Sequence, residues 1–194
     1  MKTKSIIIAI LFAIVLSVTS NAQMIDINRA ALMKSTNTSI GLLHGESPTK
    51  CIQVLGQPAS ITDQFSEVDD ATMKVYKYGN NRIWFLDNKM IAYEILDNTI
   101  RVGAVNGQTF KIGDPMTVTI IKVPIDPRQP GRTRDETRYS FLDFRMSIGS
   151  GTTDGKAFRA LSVAQLKNGA TNTDGRLELL FNASNQLFCI SMLE

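Results

Sequence analysis

Residues 82–96 read Arg-Ile-Trp-Phe-Leu-Asp-Asn-Lys-Met-Ile-Ala-Tyr-Glu-Ile-Leu. Two short runs rich in aromatic and β-branched residues enclose the polar turn Asp87-Asn88-Lys89, the pattern of a half-buried antiparallel hairpin. A second version of the pattern closes the chain. Residues 177–181, apart from Glu178, and 187–190 are apolar, with the turn formers Asn182-Ala183-Ser184-Asn185-Gln186 between them. Recurrence of one supersecondary pattern predicts two tandem units.

Upstream of the first hairpin, Ser47-Pro48 reads as a helix start. The serine hydroxyl can accept a backbone N–H, and proline suits the first helical position. Cys51, Ile52, Val54 and Leu55 supply an apolar stripe, and Gly56 followed by Pro58 ends the helix. Strands are expected over 60–65 and 72–78, flanking the acidic tip Ser66-Glu67-Val68-Asp69-Asp70. Neither face of 72–78 is purely apolar, so that strand is expected to be half exposed or near an edge. Residues 40–100 thus form a first repeat unit, a helix followed by four strands. Residues 23–39, lacking periodicity, read as a partly ordered lead-in with at most a short helix.

The second repeat unit is expected over 101–194. Phe110-Lys111-Ile112-Gly113-Asp114-Pro115 parallels residues 42–48, with Asp114 as cap and Pro115 at the first helical position. Residues 116–123 are ambiguous: their β-branched residues favour a strand, while the cap and the parallel favour a short helix. Weighing the parallel more heavily gives a helix. Strands are expected over 138–147, 156–167, 176–182 and 187–193, the second with a helical alternative. The fold class expected is α+β, two tandem units, each a short helical segment packed on an antiparallel sheet of about four strands.

Residues 1–22 read as a secretory signal peptide. Lys2 and Lys4 precede an apolar run over 6–16, and Ser20-Asn21-Ala22 offers a small-residue cleavage site. The run is too short to cross a bilayer, which needs roughly 20 residues. Cleavage after Ala22 would remove two of the 21 basic side chains and none of the 18 acidic ones, leaving a net charge of +1. A nearly neutral chain has no electrostatic reason to seek nucleic acid or anionic lipid. No later stretch is apolar for long enough to span a membrane. The expected location is secreted or periplasmic.

Catalytic patterns are sparse. His44 is the only histidine, too few for a zinc site and one candidate base for a triad or a Cys51–His44 pair. Residues 150–156, Ser-Gly-Thr-Thr-Asp-Gly-Lys, lack the first glycine of a phosphate loop and the hydroxyl that should succeed the lysine, and read as a hairpin turn. Cys51 and Cys189, the only cysteines, would form either a bridge after export or two separately buried thiols. No cofactor or metal is implied. Glu67, Asp69 and Asp70 at one hairpin tip, and Arg128, Arg132 and Arg134 in a mixed-charge loop, are candidate partner-binding residues.

A capped helix ending Leu55-Gly56-Gln57-Pro58, then a sheet closing in Trp84-Phe85-Leu86-Asp87-Asn88, resembles one repeat of the β-lactamase-inhibitor protein fold, a unit shared by the SmpA/OmlA envelope lipoproteins. The resemblance spans residues 40–194 and implies a tandem-repeat protein that binds another protein through an acidic hairpin, here carrying Asp69 and Asp70. The second unit departs from it in ending Ile121-Lys122-Val123-Pro124, and the inhibitors' paired cysteines are missing. The function expected is a non-catalytic binding protein engaging a protein partner through sheet faces and hairpin loops. An envelope structural component, or a hydrolase using carboxylates or the Cys–His pair, are the alternatives.

Overall fold

A computed structural model describes residues 23–67, 69–126, 128, 131–153 and 155–193; the expected signal peptide lies outside them. The first half contains β1 (Gln23–Asp26), a single 3-10 turn (Ile27–Arg29), β2 (Ala31–Lys34), β3 (Asn37–Leu42), α1 (Pro48–Leu55), β4 (Ser60–Ser66), β5 (Ala71–Tyr78), β6 (Asn81–Leu86) and β7 (Lys89–Ile95). The second contains β8 (Ile100–Gly103), β9 (Thr109–Phe110), β10 (Thr117–Pro124), β11 (Thr133–Phe141), β12 (Phe144–Arg145), β13 (Ser147–Thr153), β14 (Lys156–Asn168), β15 (Thr171–Phe181) and β16 (Leu187–Leu193).

Nine strands form the main sheet, in the order β1-β14-β15-β16-β7-β6-β5-β4, with β13 also on β14. The 13 residues of β14 give one edge room for two partners, β13 antiparallel near its start and β1 parallel near its end. The hairpins at residues 82–96 and 177–190, β6–β7 and β15–β16, lie side by side, because β7 and β16 pair antiparallel through Tyr93↔Met192 and Ile95↔Ile190. Each continues outward as a meander, β7-β6-β5-β4 one way and β16-β15-β14-β13 the other. A four-stranded sheet, β3-β2-β8-β9, has the same plan: hairpins β2–β3 and β8–β9 meet through β2 and β8. Strands β10-β11-β12 make a separate arm.

One core joins these layers. Ile83, Phe85, Tyr93 and Ile95 from the first meander, and Leu177, Leu179, Phe181, Ile190 and Met192 from the second, line one face of the main sheet. Leu32, Leu42, Val102 and Phe110 of the four-stranded sheet and Cys51, Val54 and Leu55 of α1 belong to the same cluster. Burying each of the larger side chains contributes about 1.5–3 kcal/mol relative to exposure. Local chemistry sets the elements as the sequence implied. Ser47 accepts the Lys50 N–H, Gly56 ends α1 at φ 90°, and Asp87 and Asn88 take the left-handed conformations that a two-residue hairpin turn needs.

Two expectations are corrected. The fold is mostly β and not α+β with a helix in each unit: α1 is the only α-helix among the described residues, and 117–123 lie in β10. Asp114 does cap, but it caps the turn before it, accepting the Lys111 N–H at 2.9 Å. The β-branched run after it then pairs with β11 through eight residues, from Thr117↔Ser140 to Pro124↔Thr133. The lead-in over 23–39 is ordered strand, with Ile25, Ala31, Leu32 and Met33 buried; its strands are too short to show a period. β5 lies next to the edge strand β4 and is half exposed, with Met73 and Val75 buried and Thr72 and Lys74 exposed.

Candidate functional site

Among the described residues, two of the strand edges that face solvent lie beside the expected charged clusters. The first is the β4 edge. All but the last of its residues are exposed, including Ile61 and Phe65 (58% exposed), and among the described residues no strand pairs with its outer side. Lys74 holds Asp63 at 2.8 Å on the neighbouring strand, and Trp84 Nε1 donates to Gln64 Oε1 at 3.1 Å. At the tip of β4–β5, Ser66 Oγ donates to Asp69 Oδ2 at 2.6 Å and accepts the Asp69 N–H. Asp70 sits at φ 49°. The turn thus uses Asp69 and Asp70 for its own geometry while their charge, with that of Glu67, stays at the surface.

The second is the β10–β11 arm, which carries the arginine cluster. Arg128 lies in its tip, Arg132 just before β11 and Arg134 within β11, all three exposed. Lys122 pairs with Asp135 and Arg138 with Glu136, both at the surface, where such pairs add little to stability. On one face of the arm Val118 and Ile120 (68% exposed) stand free of the core. The arm is rooted at its base: Phe141 and Phe144 pack edge-on against Phe110, and Phe141 against Phe181 at 4.9 Å between ring centres. Arg159 of β14 lies over the Tyr139 ring and donates to its hydroxyl at 3.0 Å. The acidic and arginine clusters therefore belong to separate sheets, each at the tip of its own hairpin.

The cysteines are two buried thiols, with no bridge between them. Cys51 meets the Tyr78 hydroxyl at 3.4 Å, and that hydroxyl donates to the Gly56 carbonyl at 2.9 Å. Burial pushes the Cys51 thiol up to about 11, against the opposing effect of the Tyr78 contact, so the thiolate a nucleophile needs is scarce at neutral pH. Burial likewise raises Tyr78. Of the residues 150–156 that are described, 150–153 end β13 and Lys156 opens β14, with Gly155 in a turn.

One feature escaped sequence reading. A cavity of about 360 Å³ is lined by Lys77, Gly79, Asn80, Arg82, Leu96 and Lys156. Lys77 and Arg82 are cross-strand neighbours, and Arg82 reaches Glu94 at 3.4 Å. Lys156 comes from the far end of the chain, and no local signal in the sequence links it to the other two. Arg82 is already shared with a carboxylate, which leaves an open, mixed polar surface. Compared with known proteins, the chain matches no family model, no curated protein and no solved structure.

Proposed function

We propose that this is an exported, non-catalytic binding protein that engages another protein through its open sheet edge and its hairpin arm. The observation that carries the reading is the pairing of unpartnered strand with exposed apolar side chains in both places: Ile61 and Phe65 on β4, Val118 and Ile120 on β10. An edge strand presents a row of backbone donors and acceptors ready for another strand, and natural edges are usually blunted by lysine, proline or a bulge. β4 has none of these along its length; its register with β5 is unbroken. Basic Lys2 and Lys4, the apolar run and Ala22 support export. The raised Cys51 thiol weighs against a Cys–His hydrolase.

Site-specific photo-crosslinking tests the reading. A photoreactive side chain at position 65 or 120 should give a discrete adduct with a protein partner, and one at exposed Asn172 should not. Adducts from position 172 alone, or a measurable hydrolytic turnover lost in Asp69→Ala, would replace it with another function.

A further inference from the structure

We propose that the partner includes a second copy of this chain, and that copies join head to tail, the β10 edge of one adding as a new strand to the β4 edge of the next. The proposal rests on the binding function above and names its partner. Both edges lack a strand neighbour among the described residues, and each has exposed apolar side chains. Their charges are opposite. The β4–β5 tip carries Glu67, Asp69 and Asp70 with no cation between Ser66 and Ala71. The arm tip carries Arg128, Arg132 and Arg134 against Asp126, whose carboxylate accepts the Arg128 N–H at 2.9 Å. No ion pair among the described residues engages those three arginines.

Direction comes from the charges. β4 runs toward the acidic tip and β10 runs toward the basic one, so only parallel addition sets the two tips against each other. Placing Ile61 beside Ile120 of the next copy then brings Asp63 beside Lys122 and Phe65 beside Pro124. Apolar groups cover apolar groups, and opposite charges meet. Symmetric pairing of two β4 strands across Asp63 would instead set the two Asp63 carboxylates opposite one another, a destabilising cross-strand pair. A contact between two different edges leaves a free β4 edge at one end of the growing chain and a free β10 edge at the other. Assembly therefore proceeds past a dimer to a ring or filament.

The test uses the exported chain, purified after leader removal. Sedimentation should show species larger than a dimer that grow with protein concentration and shrink in high salt. Glu67→Lys, or Arg132→Glu with Arg134→Glu, should each weaken self-association about tenfold while leaving the circular dichroism spectrum and Tm unchanged. Mixing the two variants should restore association, since each supplies the edge the other lacks. Mild oxidation should link Ile61→Cys on one copy to Ile120→Cys on another in preference to like pairs, a readout of register that charge cannot mimic. A chain that remains monomeric throughout, that stops at a dimer, or whose association survives the arm reversal overturns the proposal. If self-association is absent while position 65 still captures a different protein, the binding function stands and this inference alone falls.

Discussion

The same backbone turn is used twice, and the segments after it differ. In the first half Glu46 accepts the Leu43 N–H through its carboxylate, while Gly45 N–H and Glu46 C=O bond to Met90 at the start of β7. In the second half Asp114 accepts the Lys111 N–H, and Gly113 N–H and Asp114 C=O bond to Leu187 at the start of β16. After the first turn comes α1, which buries Cys51, Val54 and Leu55; after the second comes the arm, which buries little beyond Phe141 and Phe144 at its base. Two phenylalanines perform in one half the core filling that a helix performs in the other. The remainder of the arm is thereby released from the fold, and its apolar side chains are open to contact.

Removing that base should do the most damage. Phe141→Ala empties a site between Phe110, Phe144 and Phe181 and is expected to cost about 3–5 kcal/mol, against about 2–5 kcal/mol for Leu55→Ala on α1. Urea unfolding of the two variants measures both. If Phe141→Ala proved as harmless as a surface change, the arm's base would not be the counterpart of the helix, and the two halves would have to be compared on other grounds.

A more modest effect separates the halves at another point. The two-residue turns Gly79-Asn80 and Gly169-Ala170 occupy matching places, closed by Tyr78↔Asn81 and Asn168↔Thr171. Only the first is succeeded by a buried amide. Asn81, fully buried, accepts the Leu96 and Asp97 N–H groups at 2.8 and 3.1 Å and donates to Asp97 and Thr99. Asn81→Ala would leave those half-buried N–H groups unmet, at a cost of about 1–3 kcal/mol, whereas Thr171→Ala should be near neutral. The linked carboxylate gives a pH signature. Burial raises Asp97, but hydrogen bonds from Thr99, Asn81 and the Asn80 N–H outweigh it and hold the group below the ordinary carboxylate value. Its contribution is therefore present above the unfolded value, about 3.9, and is lost as pH falls through the lower folded one. The stability gap between the native chain and Asp97→Asn should close on acidification below about pH 4; a gap that widened there would reverse the assignment.

How much of this could be read from residue order alone depends on how local the signal was. The α1 cap at Ser47, the Gly56 stop, the β4–β5 tip and the Asp87-Asn88 turn each reside within a few neighbouring residues, and the structure has them as read. Residues 116–123 did not yield, because the capped turn at Asp114 is the same as the one before α1. The β-branched side chains beyond it decide the outcome only through pairing with β11, about 16 residues on at the middle of the arm. The cluster Lys77, Arg82 and Lys156 was hidden for a related reason: Lys156 arrives through the hairpin β13–β14 from the opposite half. Glu67, Asp69, Asp70, Arg128, Arg132 and Arg134 were legible as charges. That they lie at the tips of two strands with no outer neighbour among the described residues is a property of sheet order, which the residue types do not encode.

Least disruptive should be a change on the arm itself, and it bears hardest on the contrast with α1. Ile120 is an isoleucine in the middle of a β-strand, and by residue type alone Ile120→Ser should loosen the fold. Its side chain is 68% exposed, opposite Thr137 on β11, and makes no part of the core. The substitution should therefore change unfolding free energy by no more than about 0.5 kcal/mol, and a chemical melt with unchanged slope would measure it. A loss of several times that size would mean that the arm is held down on the body and belongs to the fold as α1 does. A neutral result leaves the arm with an apolar residue that stability does not require. Selection for a contact surface then becomes the physical reason for its presence, and the same variant, folded and stable, is the cleanest material in which to look for lost association.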